Sequence, residues 1–354
     1  MTTLHDRDRR TYGSDNYAGV HPEVLAAIAE ANGGHQSAYG ADVYTARLNE
    51  VLSALFGTAT ESFPVFTGTG ANVIALQAMT PPWGAVVCAE SAHINTDENA
   101  APERIGRMKL LPVATPDGKL TPELIATRTG GRGDEHRAQP AVVSITQSTE
   151  LGTCYTATEI AAICAQAHEL GLRVHLDGAR LSNAAASLGL PLQAFTTDAG
   201  VDVVCLGATK NGALGAEAVV VLRPDAVEGI RYLRKIDMQL ASKMRFVSAQ
   251  LLALYSGDLW LRSAGQANAM AQRLRDGLTA LDVPITQPVQ ANAVFAVLPT
   301  DAAARLRDRF VFYDWEGQPG LVRLMCSFDT TASDVDALLA AVGAELGVTA
   351  DRGR

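Results

Sequence analysis

Two short runs decide how this chain folds: Val174-His175-Leu176-Asp177-Gly178-Ala179-Arg180 and Cys205-Leu206-Gly207-Ala208-Thr209-Lys210-Asn211-Gly212. Each is an apolar run that stops on a charged residue set among small ones. A buried parallel strand ends in this way where its carboxyl edge opens into a site. Asp177 and Lys210 lie 33 positions apart (210 − 177), room for a strand, a crossover helix and the next strand. A buried acid and a buried lysine at strand ends are costly unless each is paired or holds a ligand.

Working outward, the same alternation repeats. Upstream, Ala141-Val142-Val143-Ser144-Ile145 reads as a strand that ends at Gln147-Ser148-Thr149-Glu150. The run Thr156-Ala157-Thr158-Glu159 is a capping box for a helix over 160–170, which Gly171 closes. Earlier strands are expected at 63–66, 85–88 and 108–113, the second of them followed by the polar Glu90-Ser91-Ala92-His93. Residues 127–139, with three glycines among charges, read as an exposed loop. Near the amino end, Pro22 opens one helix, and Leu48, Val51, Leu52, Leu55 and Phe56 mark the apolar face of the next. Downstream, 218–222 is one more strand. A basic segment, Arg231-Tyr232-Leu233-Arg234-Lys235, precedes an apolar helix expected over 239–254. From about Asp258 the pattern changes to helices at 264–281, 302–310 and 335–346 with short strands at 293–298 and 321–325. The expected fold is therefore α/β: an amino-terminal arm (1–14), a large domain (15–257) around a mostly parallel doubly wound sheet, and a smaller carboxyl-terminal α+β domain (258–354).

Bulk properties narrow the function. At 354 residues the chain exceeds what one hydrophobic core usually supports. A formal charge of −9 and a pI near 5.3 argue against a nucleic-acid or anionic-membrane partner. Five dispersed cysteines without a CxxC pair point to core thiols rather than a zinc or redox site, and the expectation is a cytoplasmic protein without a bound metal. No signal-like segment opens the chain, and no run of apolar residues reaches membrane-spanning length.

The turn Thr67-Gly68-Thr69-Gly70-Ala71-Asn72 follows a strand and opens a helix. It reads either as a tight glycine turn or as an anion site built from amides at a helix start. The third glycine of GxGxxG is missing, and no Walker lysine follows, so any phosphate held here is a single one. Asp177 reads either as an N-cap or as a functional carboxylate. Lys210 is harder to explain structurally, and a desolvated lysine suits a Schiff-base amine. A lysine with a distant aspartate matches the division of labour around pyridoxal 5′-phosphate: the lysine carries the aldehyde, and the aspartate keeps the ring nitrogen protonated.

At this point the sequence resembles the fold-type-I pyridoxal phosphate enzymes, and among them the low-specificity L-threonine aldolase (β-eliminating lyase) family. The resemblance rests on Ser14-Asp15-Asn16, Tyr39-Gly40-Ala41-Asp42, Gly68-Thr69-Gly70-Ala71-Asn72, Ala92-His93-Ile94, His175–Leu181, Thr209-Lys210-Asn211-Gly212 and Val322-Arg323-Leu324. It implies that Lys210 carries the cofactor, that Asp177 meets its ring nitrogen and that His93 stacks on the ring. Gly68, Thr69 and Thr209 would hold the phosphate. Ser14, Arg180 and Arg323 would clamp a substrate carboxylate. Arg234, Lys235 and Arg245 would reach the phosphate of a neighbouring subunit, which implies a homodimer or homotetramer.

One departure stands out. Many members carry Glu-Asn-Thr-His after the third strand of the central run, and Glu150 here occupies the histidine's place. Residues 238–245 also depart from the family's glycine-rich form. The implied reaction is retro-aldol cleavage of L-threonine, L-allo-threonine or related β-hydroxy-α-amino acids to glycine and an aldehyde. Glu150, His93 or a water is the candidate base. The alternatives are an aryl-preferring (phenylserine) aldolase, another pyridoxal phosphate β-eliminating lyase, a nucleotide-binding dehydrogenase, against which the broken glycine fingerprint argues, and a silent cofactor-binding protein.

Overall fold

The computed structural model describes residues 4–6 and 8–347, so parts of the expected arm (1–3 and 7) and of the carboxyl-terminal lobe (348–354) lie outside the described residues. Among the described residues there are ten strands: β1 (Glu61–Val65), β2 (Gly84–Ala89), β3 (Lys109–Val113), β4 (Gln139–Thr146), β5 (Arg173–Gly178), β6 (Val203–Gly207), β7 (Glu217–Val221), β8 (Ala293–Val297), β9 (Tyr313–Asp314) and β10 (Leu321–Met325). The first seven form one sheet in the order β1-β7-β6-β5-β4-β2-β3. Neighbours from β3 to β6 pair in parallel, whereas β7 runs against both β6 and β1, so six of the seven strands share a direction. The chain is α/β with a mostly parallel sheet, as its sequence implies.

Strands β2, β6 and β7 are buried at every position, which is why they read as continuous apolar runs rather than alternating ones. The helix Gly68–Met79 lies against β5, β6 and β7 and is buried from Ala71 to Leu76. The helix Ala157–Glu169 packs on β5, and its Thr156–Glu159 capping box is formed. Two glycines let the sheet's central turns approach one another. A Cβ on Gly178 would lie 2.7 Å from the Cys205 carbonyl oxygen, and one on Gly207 would lie 2.5 Å from that of Ala179. The small residues beside Asp177 and Lys210 therefore set the spacing between those two turns.

A second, antiparallel sheet has the order β8-β10-β9. Strand β9 has no counterpart in the sequence reading, because two exposed residues carry no periodicity. The described residues hold two principal apolar cores. One contains the seven-stranded sheet and reaches Trp260; the other joins Tyr12 to residues between Ala271 and Val342. The helix Leu259–Ala280 serves both, with Leu259 and Trp260 in the first and Ala271, Leu274 and Leu278 in the second.

The helix expected over 239–254 begins only at Arg245. Met238 adopts a left-handed conformation (φ 60°). The Gln239 side chain accepts the Phe66 N–H (3.0 Å), and the Ser242 carbonyl accepts that of Tyr39 (3.0 Å). Those tertiary bonds hold residues 239–244 as an irregular strap beside the end of β1 and override their apolar helical pattern. No described helix is long and apolar enough to cross a membrane. All five cysteines are buried and unpaired.

Candidate active site

Because the parallel strands end at one edge, the segments leaving β4, β5 and β6 meet there: 147–150, 178–180 and 208–210. Register fixes their level, with Thr146 opposite Asp177 and Asp177 opposite Cys205. Between them and the small sheet lies a cavity of about 420 Å³, lined by Lys210, His93, Glu150, Arg180, Arg323 and Ser14. Tyr313 and Trp315, from the β9 region, complete its wall. A space of this size suits a small substrate and part of a cofactor. Six residues named from sequence thus converge, and Asp177 lies beside them.

Asp177 is buried, and both its oxygens accept hydrogen bonds, Oδ1 from the Ala179 N–H (3.0 Å) and Oδ2 from the Asn72 amide (2.9 Å). Burial opposes its charge. His175, Lys210, His93 and the Ala179 amide outweigh that and hold it below the usual carboxylate range. His175, two residues earlier on the strand, bonds Ser144 and Cys205, and burial lowers it to about 4, so the ring is neutral at pH 7. Asn72 also donates to Glu98 (2.9 Å), and Glu98 in turn meets the His93 Nδ1 (2.9 Å). His93 is raised, first by that Glu98 bond and further by the charge of Asp177, with burial and Lys210 opposing. Its main-chain N–H donates to Glu150 Oε1 (2.9 Å), while Glu150 Oε2 is buried without a hydrogen-bond partner. Burial, then repulsion from Asp177, pushes the Glu150 carboxyl up to about 7.

Lys210 stands on the turn Thr209–Asn211 after β6. It is half-buried rather than buried as its apolar surroundings in sequence implied, because the turn carries it past the strand end to the cavity. Glu217 at the start of β7 accepts the Ala208 N–H (2.8 Å) and steadies that turn. Thr209 Oγ1 is engaged with the Ala216 main chain (3.2 Å to its N–H).

Arg180 is clasped in bidentate fashion by Asp15, from Nε (2.8 Å) and Nη2 (2.9 Å), and Asn292 donates to the same carboxylate (3.0 Å). Arg323 donates to the Gly13 carbonyl (3.2 Å) and lies over the Trp315 ring at 4.9 Å. Its Nε is buried without a partner, and burial with the nearby Arg180 charge lowers its pKa. Ser14 caps the short turn Asp15–Tyr17 by accepting the Asn16 N–H (3.2 Å).

At the start of the helix Gly68–Met79, the Thr67 hydroxyl accepts the Gly70 N–H (3.0 Å). That cap leaves the Gly68 and Thr69 amides for an anion, and a Cβ on Gly68 would meet nothing within 4 Å. Val65 and Gly207 flank Glu217 in register, so this turn and the Lys210 turn leave the sheet on either side of one residue. The residues fit a phosphorylated pyridine cofactor: an anion cradle, an ionised buried carboxylate and an amine. Arg234, Lys235 and Arg245 do not line the cavity. Arg234 lies over Phe63 (5.3 Å), Lys235 over Tyr39 (5.2 Å), and Arg245 donates to the Gly34 carbonyl (3.1 Å).

Asn72, Glu98, Asp15 and Glu217 escaped the sequence reading as individual site residues. Asn72 carried a signal, an amide set directly before the apolar run Val73–Leu76. Glu98 carried none, sitting in a polar stretch that reads as surface.

Sheet order, site position and this residue set define the architecture of the fold-type-I pyridoxal phosphate enzymes. A threonine aldolase structure from Leishmania major superimposes with a TM-score of 0.90 at 29% identity, covering 94% of this chain and 98% of that one. Residues 13–301 match the beta-eliminating lyase family, and the chain belongs to it. The chain is 45% identical to a low-specificity L-threonine aldolase of Pseudomonas aeruginosa over 90% of its length and 93% of the relative's. It is 44% identical to another from a Pseudomonas species, covering 94% and 97%.

Proposed function

We propose that this lyase cleaves L-threonine, L-allo-threonine and related β-hydroxy-α-amino acids to glycine and an aldehyde with pyridoxal 5′-phosphate. The observation that carries the reading is the convergence of one amine, two guanidiniums and a half-buried carboxyl group on a single cavity above the buried Asp177. Lys210 holds the cofactor's aldehyde end, Asp177 its ring nitrogen, and His93 one ring face. Gly68, Thr69 and Thr209 hold its phosphate. When bound, the cofactor supplies an electron sink for the charge left at Cα as the Cα–Cβ bond breaks.

The chain's own residues do the rest. Arg323 and the edge of Arg180 not committed to Asp15 take the substrate carboxylate, with Ser14 beside them. Glu150 Oε2, unpartnered and close to neutral titration, accepts the β-hydroxyl proton in the role that histidine fills elsewhere in the family. General-base help of this kind is worth about 10²–10⁴-fold. Arg234, Lys235 and Arg245 are assigned to the phosphate of a neighbouring subunit, so the working protein is a homodimer or homotetramer. Exposed Tyr232, Ile236 and Met238 beside that basic segment support such an interface. The two cores support a division near Asp258, and the five reduced thiols support a cytoplasmic location.

Tyr313 and Trp315 on the cavity wall favour a second reading, an aldolase preferring aryl substrates. The holoenzyme is tested separately with L-threonine, L-allo-threonine and phenylserine. Equimolar glycine and aldehyde are expected, and the ratio of kcat/KM values ranks the readings. Ammonia and a 2-oxo acid in place of glycine would overturn the aldolase assignment.

A further inference from the structure

The connection from His93 to Asp177 runs through two residues that no role above requires. Glu98 is 4% exposed and Asn72 is 2% exposed. Asn72 spends each of its two amide hydrogens on a carboxylate, one on Glu98 Oε1 and one on Asp177 Oδ2, both at 2.9 Å. Its orientation is chemically forced, since the reversed amide would aim an oxygen at two carboxylates. The same Glu98 oxygen meets His93 Nδ1 at 2.9 Å. The four groups come from four places in the chain: the anion-binding helix, the short helix His93–Thr96, the segment after it, and the end of β5.

We propose that Glu98 and Asn72 are a buried positioning pair, in which Glu98 fixes the His93 ring through Nδ1 and Asn72 locks that carboxylate to Asp177. One rigid frame then sets both the ring that covers the cofactor and the acid that meets its nitrogen. The frame also assigns protons. Glu98 keeps the hydrogen on Nδ1 and favours the imidazolium, so His93 is the proton donor of the site and Glu150 the acceptor. Other groups bear on His93 as well. Asp177 favours its charge and Lys210 opposes it, Glu150 holds its main-chain N–H, and Arg180, Arg323 and Asp97 share the cavity. Only Glu98 touches its ring nitrogen among the described residues.

The inference rests on the aldolase reading for its proton roles but not for its geometry, and the test separates the two. In cofactor-free protein, histidine signals are followed by NMR against pH and assigned with His93→Gln. Glu98→Gln, which keeps the shape and removes the charge, is expected to lower the His93 titration by about one pH unit or more. In loaded enzyme it lowers kcat about tenfold or more with KM little changed. Asn72→Asp sets a third carboxylate between two others. It is expected to weaken cofactor binding about tenfold at neutral pH, with recovery as the pH falls. An unchanged His93 titration in Glu98→Gln overturns the proposal, as does Asn72→Asp binding the cofactor like the native protein at neutral pH. Should Glu98→Gln fail to fold, the Asn72→Asp titration decides alone. A lowered His93 titration in a protein that releases glycine from none of L-threonine, L-allo-threonine and phenylserine would retain the pair and reject the aldolase.

Discussion

Glu150 is held near neutral titration by two effects that the site cannot dispense with, burial under the cavity and the charge of Asp177. If it is the base, activity rises as pH climbs through about 7, and Glu150→Gln removes that limb and most of the turnover while the cofactor stays bound. Turnover within twofold of native would rule the role out. The same group affects stability. Its folded value, about 7, lies above the ordinary 4.5. The folded state therefore binds more protons than the unfolded chain in that window, and stability is lost as pH rises through it. Glu150→Gln is accordingly expected to be more stable than native above about pH 7, by about 1–3 kcal/mol in chemical denaturation. Individual site residues were legible where they broke a strong pattern. Asp177 closes one apolar strand and Lys210 follows another. Glu98 and Asp15 become significant only through partners brought to them by the fold, Asn72 on another helix and Arg180 on the far side of the chain, which no local period reveals.

At the scale of elements, the turns after β5 and β6 are the working parts, and backbone contact sets their separation. A Cβ on Gly207 would meet three backbone atoms of Ala179 within 2.8 Å. No side chain can rotate away to relieve that. Gly207→Ala is expected to cost about 1–3 kcal/mol and to weaken cofactor binding by moving Lys210 relative to Asp177. Calorimetry and a cofactor titration check both, and a variant with native affinity would show that the spacing does not matter. The strands were readable because full burial leaves continuous Val-, Ala- and Cys-rich runs. The strap at 239–244 was not, because its conformation is set by Phe66 and Tyr39, residues from distant parts of the chain.

At the scale of the whole molecule, the fold brings residues as far apart as Ser14 and Arg323 to one cavity, yet the basic segment expected at the phosphate stays outside it. The oligomer we propose accounts for the second of these, because the segment would serve the site of a neighbouring subunit. Met238→Asp on the exposed apolar surface is expected to shift light scattering toward monomer and to release cofactor together; a fully loaded monomer would contradict the shared site. Whether Lys210 carries pyridoxal phosphate above Asp177 is decided by the visible spectrum of the purified protein with added cofactor. The native chain is expected to show a visible band that borohydride abolishes while fixing the cofactor to the protein, and that is absent in Lys210→Ala. A native protein that stays colourless with cofactor, or a Lys210→Ala protein that keeps the band and the borohydride-fixed cofactor, would contradict it.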